Sequence, residues 1–182
     1  MNIKREIKQI KNKLEQIEKE LNKSTTIDDI KIGEQFKYKG HNYTKLNNNN
    51  YCIIDDYDNR FMRCVFDPIS NNYEESVVRQ YINSDKFTER LGIDVCDLKT
   101  CYNGEDCITL LSKTEYECYG NNIRDYVCWW MTRSSSSTYD NTFCCIYNGG
   151  SILNDYVLNT YSVRVCFILK PNTPVTRKCD EE

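Results

Sequence analysis

The sequence predicts an α+β protein, mainly antiparallel, with most of its sheet in the second half and a short self-associating helix in front. Three observations carry this. Apolar residues keep a heptad over the first 23 positions. The middle of the chain passes from strand period to helical period and back. From residue 127 onward, short apolar and aromatic runs alternate with turn residues.

In the first segment Ile3, Ile7, Ile10, Leu14, Ile17 and Leu21 are spaced by 4, 3, 4, 3 and 4 residues, the period of a coiled-coil seam. Ile7, Leu14 and Leu21 take the a positions; Ile3, Ile10 and Ile17 take the d positions. Leucine at a with isoleucine at d turns the preference from dimers toward trimers or tetramers, so a coiled-coil homotrimer is expected. Glu6 with Lys11, and Lys13 with Glu18, put opposite charges on the flanks. Two apolar positions per heptad make a narrower stripe than a helix docked on its own domain usually carries. Residues 1–23 are therefore read as the oligomerisation helix, 24–29 as a polar linker, 30–171 as the globular domain and 172–182 as a flexible tail.

Within the domain, residues 36–38 and 42–44 flank Lys39, Gly40 and His41 as a hairpin. Asn47 to Asn50 are a turn, and residues 51–54 and 61–66 are strands around a second turn at 55–59. Val77, Val78, Tyr81 and Ile82 share one helical face, and a second short helix covers 86–91. Residues 107–111 read as a buried strand. Ser112 followed by Glu115 is a capping box, so a helix runs from Lys113 to about Tyr119. Asn148-Gly149 joins strands at 143–147 and 151–153, and a last strand spans 162–169.

Composition excludes several classes. A net charge of −3 gives no electrostatic case for nucleic acid or anionic membrane. No apolar run is long enough to span a bilayer, and the charged heptad leaves no room for a signal peptide's apolar region; a virion or the host cytoplasm is the expected location. The 11 cysteines include no CxxC pair, and His41 is the single histidine, so no metal site or cofactor is expected. Cys52, Cys64, Cys128, Cys144 and Cys166 lie in strand-like runs and read as small apolar residues. Asp55, Asp56, Asp58 and Asn59 supply oxygen ligands of the kind calcium takes, and a solvated turn accounts for them better.

Residues 134–161 stand apart. Serine, threonine, tyrosine, aspartate, asparagine and glycine fill 20 of the 28 positions. That composition suits a displayed binding surface, since tyrosine offers large contact area at low side-chain entropy and Ser, Gly and Asn adapt their hydrogen bonds. Tyr139, Tyr147, Tyr156 and Tyr161 are the expected contact residues, with Asn141, Asn148, Asn154, Asp155 and Asn159 as polar partners. Trp129 and Trp130 are adjacent and point to opposite faces of a strand; Trp129 is assigned to the core and Trp130 to the floor of the ligand surface. No serine–histidine or cysteine–histidine arrangement is available for nucleophilic catalysis, and the chain is expected not to be an enzyme.

Four motifs extend this reading. Ser76-Val77-Val78-Arg79-Gln80-Tyr81-Ile82-Asn83 resembles an S-x-L-R-x-W-L-N helix. Residues 108–116, ITLLSKTEY, resemble an L-L-S-x-x-E-Y stretch. Trp129-Trp130-Met131-Thr132-Arg133-Ser134 resembles W-W-L-R-S, with Thr132 in place of Leu. Val163-Arg164-Val165 resembles V-R-P-A, with Val165 in place of Pro. Together they resemble an uncharacterised domain of bacteria and their phages, similar to the C-type-lectin-like fold, to the formylglycine-generating-enzyme group and to the variable proteins of diversity-generating retroelements. The resemblance runs from about residue 30 to 170. It implies a scaffold whose loops between the tryptophan and V-R strands bind a protein or glycan ligand, as in a receptor-binding module. It also implies that Arg133 and Arg164 are structural and bond backbone carbonyls or carboxylates. The alternatives are a thiol-dependent enzyme of the formylglycine-generating type, through Cys144 and Cys145, and a structural protein without ligand.

Overall fold

The computed structural model describes residues 6–8, 10–14, 25–55, 63–123 and 129–178. It is a mixed fold with few, short helices and mostly antiparallel strands. Strands β1 (Gln35–Tyr38), β2 (His41–Lys45) and β3 (Tyr51–Ile54) form a meander, followed by β4 (Arg63–Val65), β5 (Leu98–Lys99) and β6 (Ile108–Leu110). Then come β7 (Trp130–Ser135), β8 (Thr142–Ile146), β9 (Ile152–Tyr156), β10 (Thr160–Ser162), β11 (Val165–Leu169) and β12 (Thr176–Arg177). Among the described residues one sheet has the order β12-β1-β2-β3-β11-β5, with β6 also paired to β11, and a second has the order β4-β10-β7-β8-β9. The β10–β7 pair is parallel and the others are antiparallel.

Among the described residues, three α-helices of the domain cover this frame, and each starts at a serine. Ser76 caps α1 (Val77–Ile82) by accepting from Arg79 N, and Ser84 caps α2 (Asp85–Arg90) by accepting from Phe87 N. Ser112 and Glu115 make the expected reciprocal box at the start of α3 (Lys113–Tyr119), with Ser112 N donating to Glu115 at 2.7 Å and Glu115 N donating to Ser112 Oγ at 3.1 Å. Such caps contribute about 1 kcal/mol each. Val78, Ile82 and Phe87 turn α1 and α2 onto the larger core, with Phe36, Tyr43, Phe66, Phe143 and Phe167. A second cluster gathers Trp130, Ile146, Tyr51, Ile53, Leu111 and Cys166 under α3. Each fully buried aliphatic or aromatic side chain adds about 1.5–3 kcal/mol. Cys52, Cys145 and Cys166 are among the fully buried residues.

The expected last strand is two strands in two sheets. The break falls at Val163-Arg164, both buried. Arg164 turns its guanidinium inward to the Asp55 carboxylate at 2.5 Å and to Ile54 O at 3.0 Å, over the Trp130 ring at 5.1 Å. Satisfying that buried charge pulls the chain from β10 across to β11 beside β3. Asp55, read from sequence as part of a solvated turn, is 4% exposed and also accepts from Gln35 at 2.9 Å and from Thr44. Asp56, Asp58 and Asn59 lie outside the described residues.

The expected linker and tail are also corrected. Ile27 is fully buried and donates to Thr173 O at 3.0 Å, Val175 N donates to Thr25 O at 2.9 Å, and Thr26 bridges Pro174. Asp28 accepts from the Asn50 side chain at 2.8 Å and from Asn172 N at 2.7 Å. β12 then closes the sheet on β1. A polar stretch holding one isoleucine looks like linker in sequence, and its pairing with a segment almost 150 positions away is what folds it. Residues 24 and 179–182 lie outside the described residues.

Residues 6–8 and 10–14 are helical. Ile7, Ile10 and Leu14 are 50, 58 and 53% exposed. Ile3, Ile17 and Leu21 of the heptad lie outside the described residues.

Candidate ligand surface

The structure exchanges the two tryptophans. Trp130, assigned by sequence to the ligand surface, is 2% exposed; Trp129, assigned to the core, is 37% exposed. Alternation along β7 forces this once the strand's inner partner is known. Trp130 pairs with Ile146 and stands against α3, where Tyr116 meets it edge-on at 5.6 Å. Trp129 therefore falls on the opposite face, with Met131 and Cys145.

On that face Trp129 is the centre of an aromatic patch. Tyr147 meets it at 4.5 Å with rings at 89°, and Tyr161 stacks beside it at 6.0 Å and 25°. Tyr147 is 39% exposed, whereas Tyr161 is 6% exposed and packs edge-on against Phe143 at 5.4 Å. Tyr161 is thus a support and not a contact residue, which corrects its assignment. Its hydroxyl donates to Asp155, and burial with the neighbouring carboxylate raises its pKa. Asp155 also accepts from Asn159 Nδ2 at 2.9 Å and from Tyr156 N at 2.7 Å. Tyr147, Trp129, Tyr161, Asp155 and Asn159 form one chain of contacts: two exposed rings, the buried Tyr161 ring beside them, and a hydrogen-bonded brace from Tyr161 through half-buried Asp155 to exposed Asn159.

The other expected contact residues are not gathered on this patch. Asn148 is exposed in the 147–151 turn, a three-residue loop (148–150) closed by the Tyr147–Ser151 pair, one residue longer than a two-residue hairpin. Gly150 N donates to Tyr147 O at 2.9 Å, and Tyr147 N donates to Ser151 O at 2.8 Å. Gly149 and Gly150 take φ of 90° and 85°. A Cβ on Gly150 would meet Tyr116 Oη at 2.8 Å, the hydroxyl that donates to Gly150 O. Tyr156, 58% exposed, and Asn154 alternate onto the opposite face of β9, where Asn154 accepts from Cys144 Sγ at 3.4 Å. Tyr139, 66% exposed, and Asn141 belong to the loop of residues 136–141. Asn71 holds that loop, its side chain donating to Thr142 O at 2.9 Å and Tyr139 O at 3.2 Å. Asn71, Leu153 and Leu158, the last two 43 and 62% exposed, escaped sequence reasoning. A lone loop asparagine and single leucines in short runs carry no pattern.

Arg133 and Arg164 sit beneath the frame. Arg133 pairs with Glu115 at 2.7 Å, donates to Leu110 O and lies over the Tyr102 ring at 5.0 Å. Glu115 thereby joins the cap of α3 to β7. Cys144 and Cys145 are buried on opposite faces of β8; burial raises both thiols, Cys145 to about 12. Among the described residues no cluster of three or more His, Cys, Asp or Glu side chains is arranged to hold a metal, and no helix is long and apolar enough to cross a membrane.

No curated protein and no solved structure matches the chain. Residues 97–171, which run from the lead into β5 through β11 and include both tryptophans, Arg133, Arg164 and all of segment 134–161, match a family described as a domain of unknown function, DUF6273.

Proposed function

We propose that this chain is a non-catalytic ligand-binding protein: a C-type-lectin-like domain, of a phage- or bacterium-encoded recognition type, multiplied by an N-terminal coiled-coil trimer. The observation that supports it most is the Trp129–Tyr147 pair, two exposed rings at right angles beside the hydrogen-bonded Tyr161–Asp155–Asn159 brace. Rings already locked by packing lose little freedom on binding. Flat aromatic faces beside amide groups suit the apolar faces and hydroxyl edges of sugar rings, so a glycan is the favoured ligand. Half-exposed Ile7, Ile10 and Leu14 support the trimer, which would turn a weak site into an avid one. Thiol catalysis at Cys144 or Cys145 has less behind it, because burial holds both as thiols, not the nucleophilic thiolate.

Two experiments test this. On a printed glycan array the full chain should be retained on a discrete set of glycans, and Trp129→Ala with Tyr147→Ala should lose that set; retention on none, or unchanged retention by the variant, would contradict the reading. Light scattering in dilute solution should give three times the 21.5 kDa chain mass, and Ile10→Asp with Leu14→Asp should reduce the coil's contribution to nothing.

A further inference from the structure

We infer that β9 is a docking edge for a second copy of itself, pairing two domains antiparallel about Leu153. β9 ends the five-stranded sheet, with β8 as its neighbour on one side. The β8–β9 register is continuous from Ile146–Ile152 to Thr142–Tyr156. Tyr147 N donates to Ser151 O and Val157 N donates to Asn141 O, so the odd-numbered positions of β9 bond toward β8 and the even-numbered positions point their backbone groups outward. Tyr156 is closed locally: its N–H donates to Asp155 Oδ1 at 2.7 Å and its carbonyl accepts from Asn159 N at 3.0 Å. That leaves the N–H and C=O of Ile152 and Asn154, which have no backbone partner among the described residues.

An edge of this kind is a template for strand addition unless lysine, proline or a bulge blocks it. β9 reads Ile-Leu-Asn-Asp-Tyr and has neither residue. Its one charge, Asp155, is turned back onto Tyr161 and Asn159. The strand is also its own complement. A twofold axis at Leu153 sets Ile152 against Asn154 of the second copy, satisfying all four open groups, in an isologous contact. Leu153, 43% exposed, then meets its own copy at a non-hydrogen-bonded position, where side chains are closest. Asp155 falls opposite Ser151, so no like charges oppose each other, and Tyr156 falls opposite Gly150, which leaves room for the ring. This inference rests on strand geometry and is independent of the ligand reading. Its consequence is that two Trp129 patches would lie on one continuous ten-stranded sheet.

The test uses the full chain carrying Ile10→Asp and Leu14→Asp, so that the N-terminal seam does not contribute. Sedimentation should show a concentration-dependent dimer. Adding Leu153→Lys should abolish it, Leu153→Glu should abolish it, and mixing the two variants should restore it. Amide exchange at Ile152 and Asn154 should slow as concentration rises. A monomer up to about 1 mM, the limit of weak association, would overturn the inference, as would a dimer indifferent to Leu153→Lys.

Discussion

Replacing Arg164 by methionine removes the charge that holds the two sheets together. The guanidinium is 1% exposed and its partner Asp55 carboxylate 3%. Asp55 keeps Gln35 and Thr44 as donors in the variant, but its negative charge stays buried without a counter-charge. Breaking a buried ion pair from one side costs about 3–5 kcal/mol. The Trp130 ring also loses the cation above it, adding about 1 kcal/mol. For a chain of this size each kcal/mol moves Tm by about 2–4 °C, so Arg164→Met, about 4 kcal/mol or more in all, should melt at least about 8 °C lower and show a matching shift in urea midpoint. The double variant Asp55→Leu with Arg164→Met removes both charges and should recover much of that loss, since an apolar pair of similar volume often equals a buried ion pair. Urea unfolding of the wild type, the two single variants and the double variant gives the coupling energy directly. A loss below about 1 kcal/mol for Arg164→Met, or strict additivity in the cycle, would refute the role given to this pair.

Gly150→Ala should destabilise by about 1–2 kcal/mol, from the positive φ and the 2.8 Å approach to Tyr116 Oη; Tyr116→Phe in the same chain should relieve the contact but not the φ, which urea unfolding resolves. Asp28 and Glu74 titrate below their ordinary values of 3.8 and 4.5, Asp28 chiefly through Asn50 and Glu74 through Tyr102. Depressed folded values mean stability fully present above those unfolded values and lost as pH falls through the lower folded ones, so the urea midpoint should drop below about pH 4.5, and Asp28→Asn should flatten part of the drop. Brief iodoacetamide treatment at neutral pH should label exposed Cys96 and Cys118 first and leave Cys52, Cys145 and Cys166 intact, as peptide mass mapping will report.

Local signals were legible where they are short-range. The Ser112–Glu115 box, the helical face of α1 and the first hairpin depend on residues within a few positions, and each lies where its pattern predicts. Long-range pairing was not legible. Ile27 with Thr173, and Asp55 with Arg164, are separated by more than a hundred positions, and nothing near either residue announces its partner. The tryptophan exchange has the same origin. Alternation says that Trp129 and Trp130 face opposite ways, but only the placement of α3 decides which face is inside. In the candidate site, the tyrosine-rich composition singled out Tyr147, which stands beside Trp129, and also Tyr156, which alternation puts on the other face of β9; the contact of Tyr161 with Asp155 carried no sequence signal.

The account stands most directly on Trp129. Calorimetric titration of the full chain with a glycan retained on the array, set against Trp129→Ala, measures its part. The account predicts binding about thirtyfold weaker in the variant, the size of a central aromatic contact worth about 2 kcal/mol, measured well below the variant's Tm so that both chains are folded. Equal affinity in the two chains would contradict it.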